Sequence, residues 1–412
     1  MSSTTEQPAG LQGIRGLVVI GTVTTGHAIV HWFGQAFVIL LAEIVASLGL
    51  GPLAAGTVIG ARSFSGALAN APIGVLADRF SGHRAWFMAV ALAWLGMSFF
   101  LVGLSASFPV LVAFAAVLGI AGALWHPPAI GFLSTRFPDR RAFALAVNGV
   151  GASFGDITGP LVVGGLLLVV SWESIFRFSF LPVAAAAVVF LLIMRGTSGA
   201  TAPAHRSMGM YFASLQDAAR DRDLLLALIA SGTRSAGQLV VVAFLPLYAR
   251  NELGLQPGFV GVLLALLLGM SMISQPILGY LSDRTSRKAV VLPGVIVLTV
   301  LTPWIGFIAN QWVLLALVSV VGLFLFSMAT LLGALALDIA PAGLASSTTA
   351  AQFLLGLGVG SIAPVVAGAI GRVAGIESTF FVAAALFALT VPLVAILPKT
   401  QGKGRTPRML AG

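Results

Sequence analysis

The sequence predicts an all-α membrane protein, with twelve transmembrane helices arranged as two pseudo-symmetric six-helix bundles. Three observations predict it. The 412 residues are 58% hydrophobic and only 8% charged, against roughly 25% charge in an ordinary soluble domain. The apolar residues gather into twelve runs, each near the roughly 20 residues a helix needs to cross a bilayer. The chain also repeats itself: Leu48-Gly49-Leu50-Gly51-Pro52 with Gly56 recurs 205 residues later as Leu253-Gly254-Leu255-Gln256-Pro257 with Gly261.

In chain order the runs lie near 16–42, 53–77, 86–104, 109–134, 142–170 and 174–194, then 223–249, 258–281, 289–308, 312–337, 343–371 and 378–397. The first follows a polar stretch, Met1–Arg15, with no apolar core and no cleavage site, so the first helix is expected to act as its own insertion signal. The fifth and eleventh correspond through Asn148, twelve residues before Pro160, and Gln352, twelve before Pro364. The sixth and twelfth correspond through Glu173-Ser174 and Glu377-Ser378. Between the halves the apolar pattern breaks from Arg195 to Asp223, with a charged run from Gln216 to Asp223. The expected domains are therefore an N-terminal bundle, 1–195, a cytoplasmic linker, 196–222, and a C-terminal bundle, 223–412. Within the linker, Met208–Leu215 is weakly amphipathic, and either a surface helix or an unstructured strap is consistent with it. No run alternates polar and apolar residues at period two, which excludes a β-barrel.

The formal charge of +9 is distributed unevenly. With the N-terminus inside, Arg15, Arg79, Arg84, Arg136, Arg140, Arg141, Arg287 and Lys288 fall on one side with most other basic residues, and only Arg177, Arg250 and Arg372 fall on the other. This positive-inside asymmetry places both termini in the cytoplasm of a multi-pass inner-membrane protein. The basic residues orient the chain and touch anionic lipid; nucleic acid is not an expected partner. There is no cysteine, hence no disulfide framework and no thiolate metal site.

Gly74-Val75-Leu76-Ala77-Asp78-Arg79-Phe80-Ser81-Gly82-His83-Arg84, between the second and third runs, recurs as Gly279-Tyr280-Leu281-Ser282-Asp283-Arg284 followed by Arg287-Lys288. This segment resembles the signature loop of the major facilitator superfamily, with one residue, Ser81, inserted before the glycine. Gly74 and Gly279 permit close helix approach, and the Asp78-Arg79 and Asp283-Arg284 pairs are suited to latch the loop to a neighbouring helix end. Gly119-Ile120-Ala121-Gly122-Ala123-Leu124-Trp125-His126-Pro127, then Arg141, Asn148-Gly149 and Gly155, resembles the branch that includes fosmidomycin-resistance exporters. Two departures stand out. Ala115 occupies the place of the arginine typical of proton-driven multidrug antiporters, and Gly159-Pro160-Leu161-Val162-Val163-Gly164-Gly165 carries one residue more than the antiporter motif it resembles.

Ionisable residues inside a bilayer are costly and mark function by default. The first run carries His27, His31 and Gln35 at i, i+4 and i+8, on one helical face with Trp32 beside it. The others are Arg62 in the second run, His126 in the fourth, Asn148 and Asp156 in the fifth, and Arg234 and Gln238 in the seventh. At 1.5 Å per residue, His27, Arg62, Asp156 and Arg234 sit roughly 13–21 Å from a membrane surface, near the midplane. Arg62 has Leu267 at the repeat-equivalent position and Arg234 has Ile29, so neither belongs to the shared scaffold. The superfamily resemblance implies a central cavity lined by the first, fourth, seventh and tenth helices.

Two arginines and three histidines against one aspartate favour an anion, and guanidinium groups grip carboxylates and phosphonates in bidentate fashion. The expected substrate site is Arg62, Arg234, His31, Gln35, Trp32, His126, Gln238 and Asn148. His27, His31 and Asp156 are the expected proton-coupling set, since histidine titrates near neutral pH. Gly74, Asp78, Arg79, Gly279, Asp283 and Arg284 are the expected gate. Other roles stay open: an Arg62–Asp156 structural ion pair, carbonyl capping by His126 beside Pro127-Pro128, and packing by Trp32 and Trp125. A His27–His31 metal pair lacks a third ligand nearby in sequence, so no metal is expected, and no cofactor. Gly151-x3-Gly155-x3-Gly159 is a helix-contact stripe, because no strand precedes it and no Walker lysine exists. The expected function is secondary active transport of a small organic anion by a monomer, proton-coupled, with export favoured. An uptake symporter or exchanger for a metabolic acid and a non-transporting receptor are the alternatives; no nucleophile-base set for an enzyme is visible.

Overall fold

The computed structural model describes residues 13–197, 220–340 and 354–398, with a few isolated positions between them. Most of the Met208–Leu215 stretch and of the linker lies outside the described residues, as does the start of the eleventh run. Among the described residues the regular structure is entirely helical. The N-terminal half contains α1 (Gly13–Ser47), α2 (Pro52–Arg79), α3 (Arg84–Val102), α4 (Phe108–Arg136), α5 (Arg141–Leu166) and α6 (Trp172–Met194). The C-terminal half contains α7 (Arg222–Leu247), α8 (Pro257–Arg284), α9 (Arg287–Leu301), α10 (Gln311–Ile339), α11 (Ile362–Ala374) and α12 (Ser378–Ile396).

Among the described residues nine of these helices are long and apolar enough to cross a membrane, where the sequence predicts twelve spans. The other three have physical reasons to fall short. Helices α2 and α5, with 28 and 26 residues, have the length. Their apolar content is diluted by Arg62 and Asn70 and by Asn148 and Asp156, and by many glycines. Helix α11 is described over 13 residues only, after a π-helical turn at Leu354–Val359.

The repeat seen in sequence is a repeat in backbone. Gly49 and Gly254 turn α1 into α2 and α7 into α8 with φ of 61° and 64°, a conformation that only glycine adopts without strain. Both turns lead to a proline in the first helical turn, Pro52 and Pro257. Two seams join the halves. Gly56 and Gly60 on α2 meet the Pro364 and Ser361 carbonyls, and Gly164 on α5 meets Pro257 and Gly261 on α8. Both seams lie toward the face that carries these two turns.

Inside the N-terminal half, Gly151, Gly155 and Gly159 lie against the Thr24, Ala28 and Trp32 carbonyls of α1, where a Cβ would collide with backbone. The helix-contact reading of that stripe places α5 directly on α1, and it carries Asp156 to the face of α1 that holds the histidines.

Candidate functional site

The close α1–α5 approach builds the first part of the site. Asp156 Oδ1 accepts from Gln35 Nε2 at 3.0 Å and lies 3.0 Å from His31 Nδ1. His27 Nδ1 donates to the Asn148 carbonyl at 2.8 Å, so in the neutral form of the ring the lone pair sits on Nε2, which is buried without a partner among the described residues. Helix α4 brings His126 against both: its ring centroid lies 5.2 Å from that of His27 and 5.5 Å from that of His31. One ring nitrogen from each of the three histidines lies within 4.8 Å of the other two, an arrangement able to hold a metal ion. The sequence expectation of no metal rested on a missing third ligand, which only the fold supplies.

A cavity of about 270 Å³ opens beside this cluster, lined by His31, Gln35, Arg62, His126, Gln238 and Phe326 among others. The structure separates the two arginines. Arg62 lines the cavity with its guanidinium 4.9 Å from the Phe37 ring centroid and makes no hydrogen bond to any described residue. The ion pair with Asp156 that the sequence allows is not formed, because Asp156 is drawn onto α1 and held by His31 and Gln35. Arg234 is 4% exposed and donates to Gln238 Oε1 at 2.5 Å, to the Leu325 carbonyl at 2.9 Å and to Ser235 Oγ at 2.7 Å. It stands behind the wall and orients Gln238, which reaches the cavity. Asn148 is buried, and Trp125 is packed under His27 at a ring separation of 6.5 Å. Trp32 lines a different space, an apolar groove of about 650 Å³ with Ile29, Phe33 and Phe154.

The sequence matches the Major Facilitator Superfamily profile over residues 23–364 and again over 227–410. The chain belongs to the major facilitator superfamily. Its fold is that of the superfamily's transporters, a multi-pass bundle of membrane-spanning helices. It is 28% identical over 285 residues to the tetracenomycin C resistance and export protein of Streptomyces glaucescens, covering 56% of this chain and 52% of that one. It is 31% identical over 159 residues to the multidrug resistance protein MdtG of Proteus mirabilis, covering 37% and 38%. The chain thus aligns with about half or less of the length of these relatives. Among solved structures, a bacterial homolog of the human lysosomal transporter Spinster, inward-facing and unoccupied, superposes with a TM-score of 0.77 at 14% identity, covering 93% and 97%. The nucleoside transporter NupG superposes with a TM-score of 0.71 at 13% identity, covering 92% and 97%.

The superfamily's signature loops pair differently from the adjacent Asp-Arg reading. Asp78 accepts at 2.9 Å from Arg84, the first residue of α3, and Arg84 also donates to the Gly131 carbonyl and Thr135 Oγ1 on α4. Asp283 accepts at 2.5 Å from Arg287, the first residue of α9, which also donates to Asp338 on α10 at 3.0 Å. The adjacent Arg79 and Arg284 lie over the Phe80 and Tyr280 rings instead. Gly74 faces Pro127 on α4, while Gly279 faces open space. These bonds stay within one half. A side-chain bond that joins the halves lies on the opposite face, where Arg250, in the π-helical turn after α7, donates to Glu43 on α1 at 2.5 Å. The sequence missed the roles of Arg84, Arg287 and Asp338, although it places an arginine shortly after each of Asp78 and Asp283. It carries no signal for Glu43 with Arg250, because their pairing depends on how the halves meet.

Proposed function

We propose that this transporter moves a small organic anion, a carboxylate or phosphonate, by alternating access, with Arg62 as the group that holds the negative charge. One observation carries this reading: a guanidinium lines the cavity with no acceptor of its own among the described residues. An unpaired cation at that depth is costly, and an anionic ligand relieves the cost. His31, Gln35, His126 and Gln238 supply polar contacts around it, with Arg234 acting through Gln238. The basic α2–α3 and α4–α5 loops support an inner-membrane orientation with both termini cytoplasmic. In that orientation the Glu43–Arg250 pair and both seams close the outer side. The working unit is a monomer of two bundles, 1–195 and 223–412, joined by the 196–222 linker. Export is favoured by the resistance and export proteins among its relatives and by the resemblance of its His126-Pro127 step to fosmidomycin-resistance exporters; uptake of a metabolic acid is the second reading. A proton gradient supplies the energy.

Flux into proteoliposomes tests transport against a receptor role, and an imposed pH gradient tests the driving ion: accumulation is expected with the gradient and equilibration without it. Binding isotherms for carboxylates and phosphonates, run in chelator, test Arg62. Arg62→Gln is expected to weaken binding ten-fold or more, from roughly 1.5–3 kcal/mol for a charge-assisted hydrogen bond. Wild-type affinity in that variant sinks the anion site.

A further inference from the structure

We propose that His27, His31 and His126 form a binding site for a borderline divalent transition-metal ion such as Zn²⁺, built into the cavity wall by α1 and α4. Neutral imidazole nitrogens are ligands of choice for such ions, and three of them with one open position is an established zinc geometry. The case rests on four features of the structure together. The three rings offer one nitrogen each within 4.8 Å of one another. Two of them have their tautomers set by the other nitrogen: His27 Nδ1 faces the Asn148 carbonyl and His31 Nδ1 faces the Asp156 carboxylate. Metal-bound histidines are oriented by such carbonyl and carboxylate partners, and these leave both Nε2 atoms free to ligate.

The third feature is an orphan. His27 Nε2 is buried with no hydrogen-bond partner, a state that costs desolvation energy unless something fills it. The fourth is charge, since Asp156 sits against His31 Nδ1 and offsets a divalent ion bound at the opposite ring nitrogen. Zinc bonds of roughly 2.0–2.1 Å need nitrogens about 3.4 Å apart in a tetrahedron, so modest rotation of the rings closes the site. The remaining coordination position opens to the cavity that His31, His126 and Arg62 all line.

The site concerns the metal alone and stands whether or not Arg62 binds an anion. Its test is a Zn²⁺ titration of the purified full-length protein, stripped with chelator, freed of any affinity tag and kept free of organic anions. One tightly bound ion per chain is expected. His27→Gln, His31→Gln and His126→Gln should each weaken binding ten-fold or more, while His83→Gln, outside the cluster, should leave it unchanged. Asp156→Asn keeps all three ligands and should weaken binding ten- to a hundred-fold through His31; it decides the matter if a histidine variant fails to fold. X-ray absorption of the zinc-loaded wild type should show imidazole scatterers at about 2.0–2.1 Å. Absence of stoichiometric binding, or binding indifferent to the three histidines and to Asp156, overturns the site. The anion isotherms are measured in chelator, so either proposal can fail without the other.

Discussion

The two halves of this transporter share a backbone plan and divide the chemistry unequally. In the N-terminal half the cavity wall carries His31, Gln35 and Arg62, with His27 and Asp156 beside them. In the C-terminal half the positions 205 residues on, or 204 for Asp156, are Gly232, Ala236, Val240, Leu267 and Gly360. The one strong polar group that the C-terminal half adds at similar depth, Arg234, is consumed by Gln238, Leu325 and Ser235. The halves share a scaffold, and most of these mid-membrane polar groups sit on one side of it. A mid-membrane charge is therefore better judged by its acceptors than by its depth: Arg62 has none among the described residues and Arg234 has three.

The sharpest way to break this contrast is to make the same change on both sides. Arg62→Gln should cost ten-fold or more in anion affinity, with folding unaffected. Arg234→Gln should leave affinity within about three-fold but lower the melting temperature, because Gln238 and the Leu325 carbonyl lose a buried donor at roughly 1–3 kcal/mol each. Isotherms and melting curves on both variants check this. Equal affinity losses would restore Arg234 to the binding site.

A smaller effect tests the carboxylate. Asp156 places a negative charge behind His31 and Gln35, which line the cavity proposed to receive an anion, so Asp156→Asn should raise anion affinity a few-fold, as expected for removing a like charge beside a partly screened cavity. Unchanged or weaker binding in the same isotherms would mean that Asp156 mainly orders His31 and Gln35 for the ligand.

The loops provide the next comparison. Asp78→Asn and Arg84→Gln should each slow flux by a similar several-fold factor with affinity intact, because they break one shared bond. Arg79→Gln should do less, since its side chain lies over Phe80. Proteoliposome rates on the three variants decide it, and a larger loss at Arg79 than at Arg84 would return the latch to the adjacent pair.

The smallest effect belongs to the opposite face. Glu43 and Arg250 are both partly exposed, and such a pair contributes at most about 1 kcal/mol. Glu43→Gln should therefore shift the balance toward the outward-open state only a few-fold. The chain has no cysteine, so single introduced cysteines along the α2–α11 seam would report that shift by their labelling rate. No change in labelling would show that the glycine seams alone hold this face.

The sequence alone determined the all-helical membrane class, the repeat and the superfamily, because each is written in quantities that survive without coordinates: apolar run length, spacing and duplicated turns such as Gly49 and Gly254. It also identified the polar residues of the membrane interior, since any such residue stands out against an apolar background. Tertiary structure alone decided which of them meet. Asp156 goes to His31 and Gln35 rather than to Arg62 because a glycine stripe lets α5 lie directly on α1, and Arg234 is spent on α10 and on its own helix. His126, about 100 residues from His27 in the chain, completes a trio of histidines that no spacing announces. Partners across helices are fixed by how closely two backbones approach, and that distance is a property of packing, not of either helix read by itself.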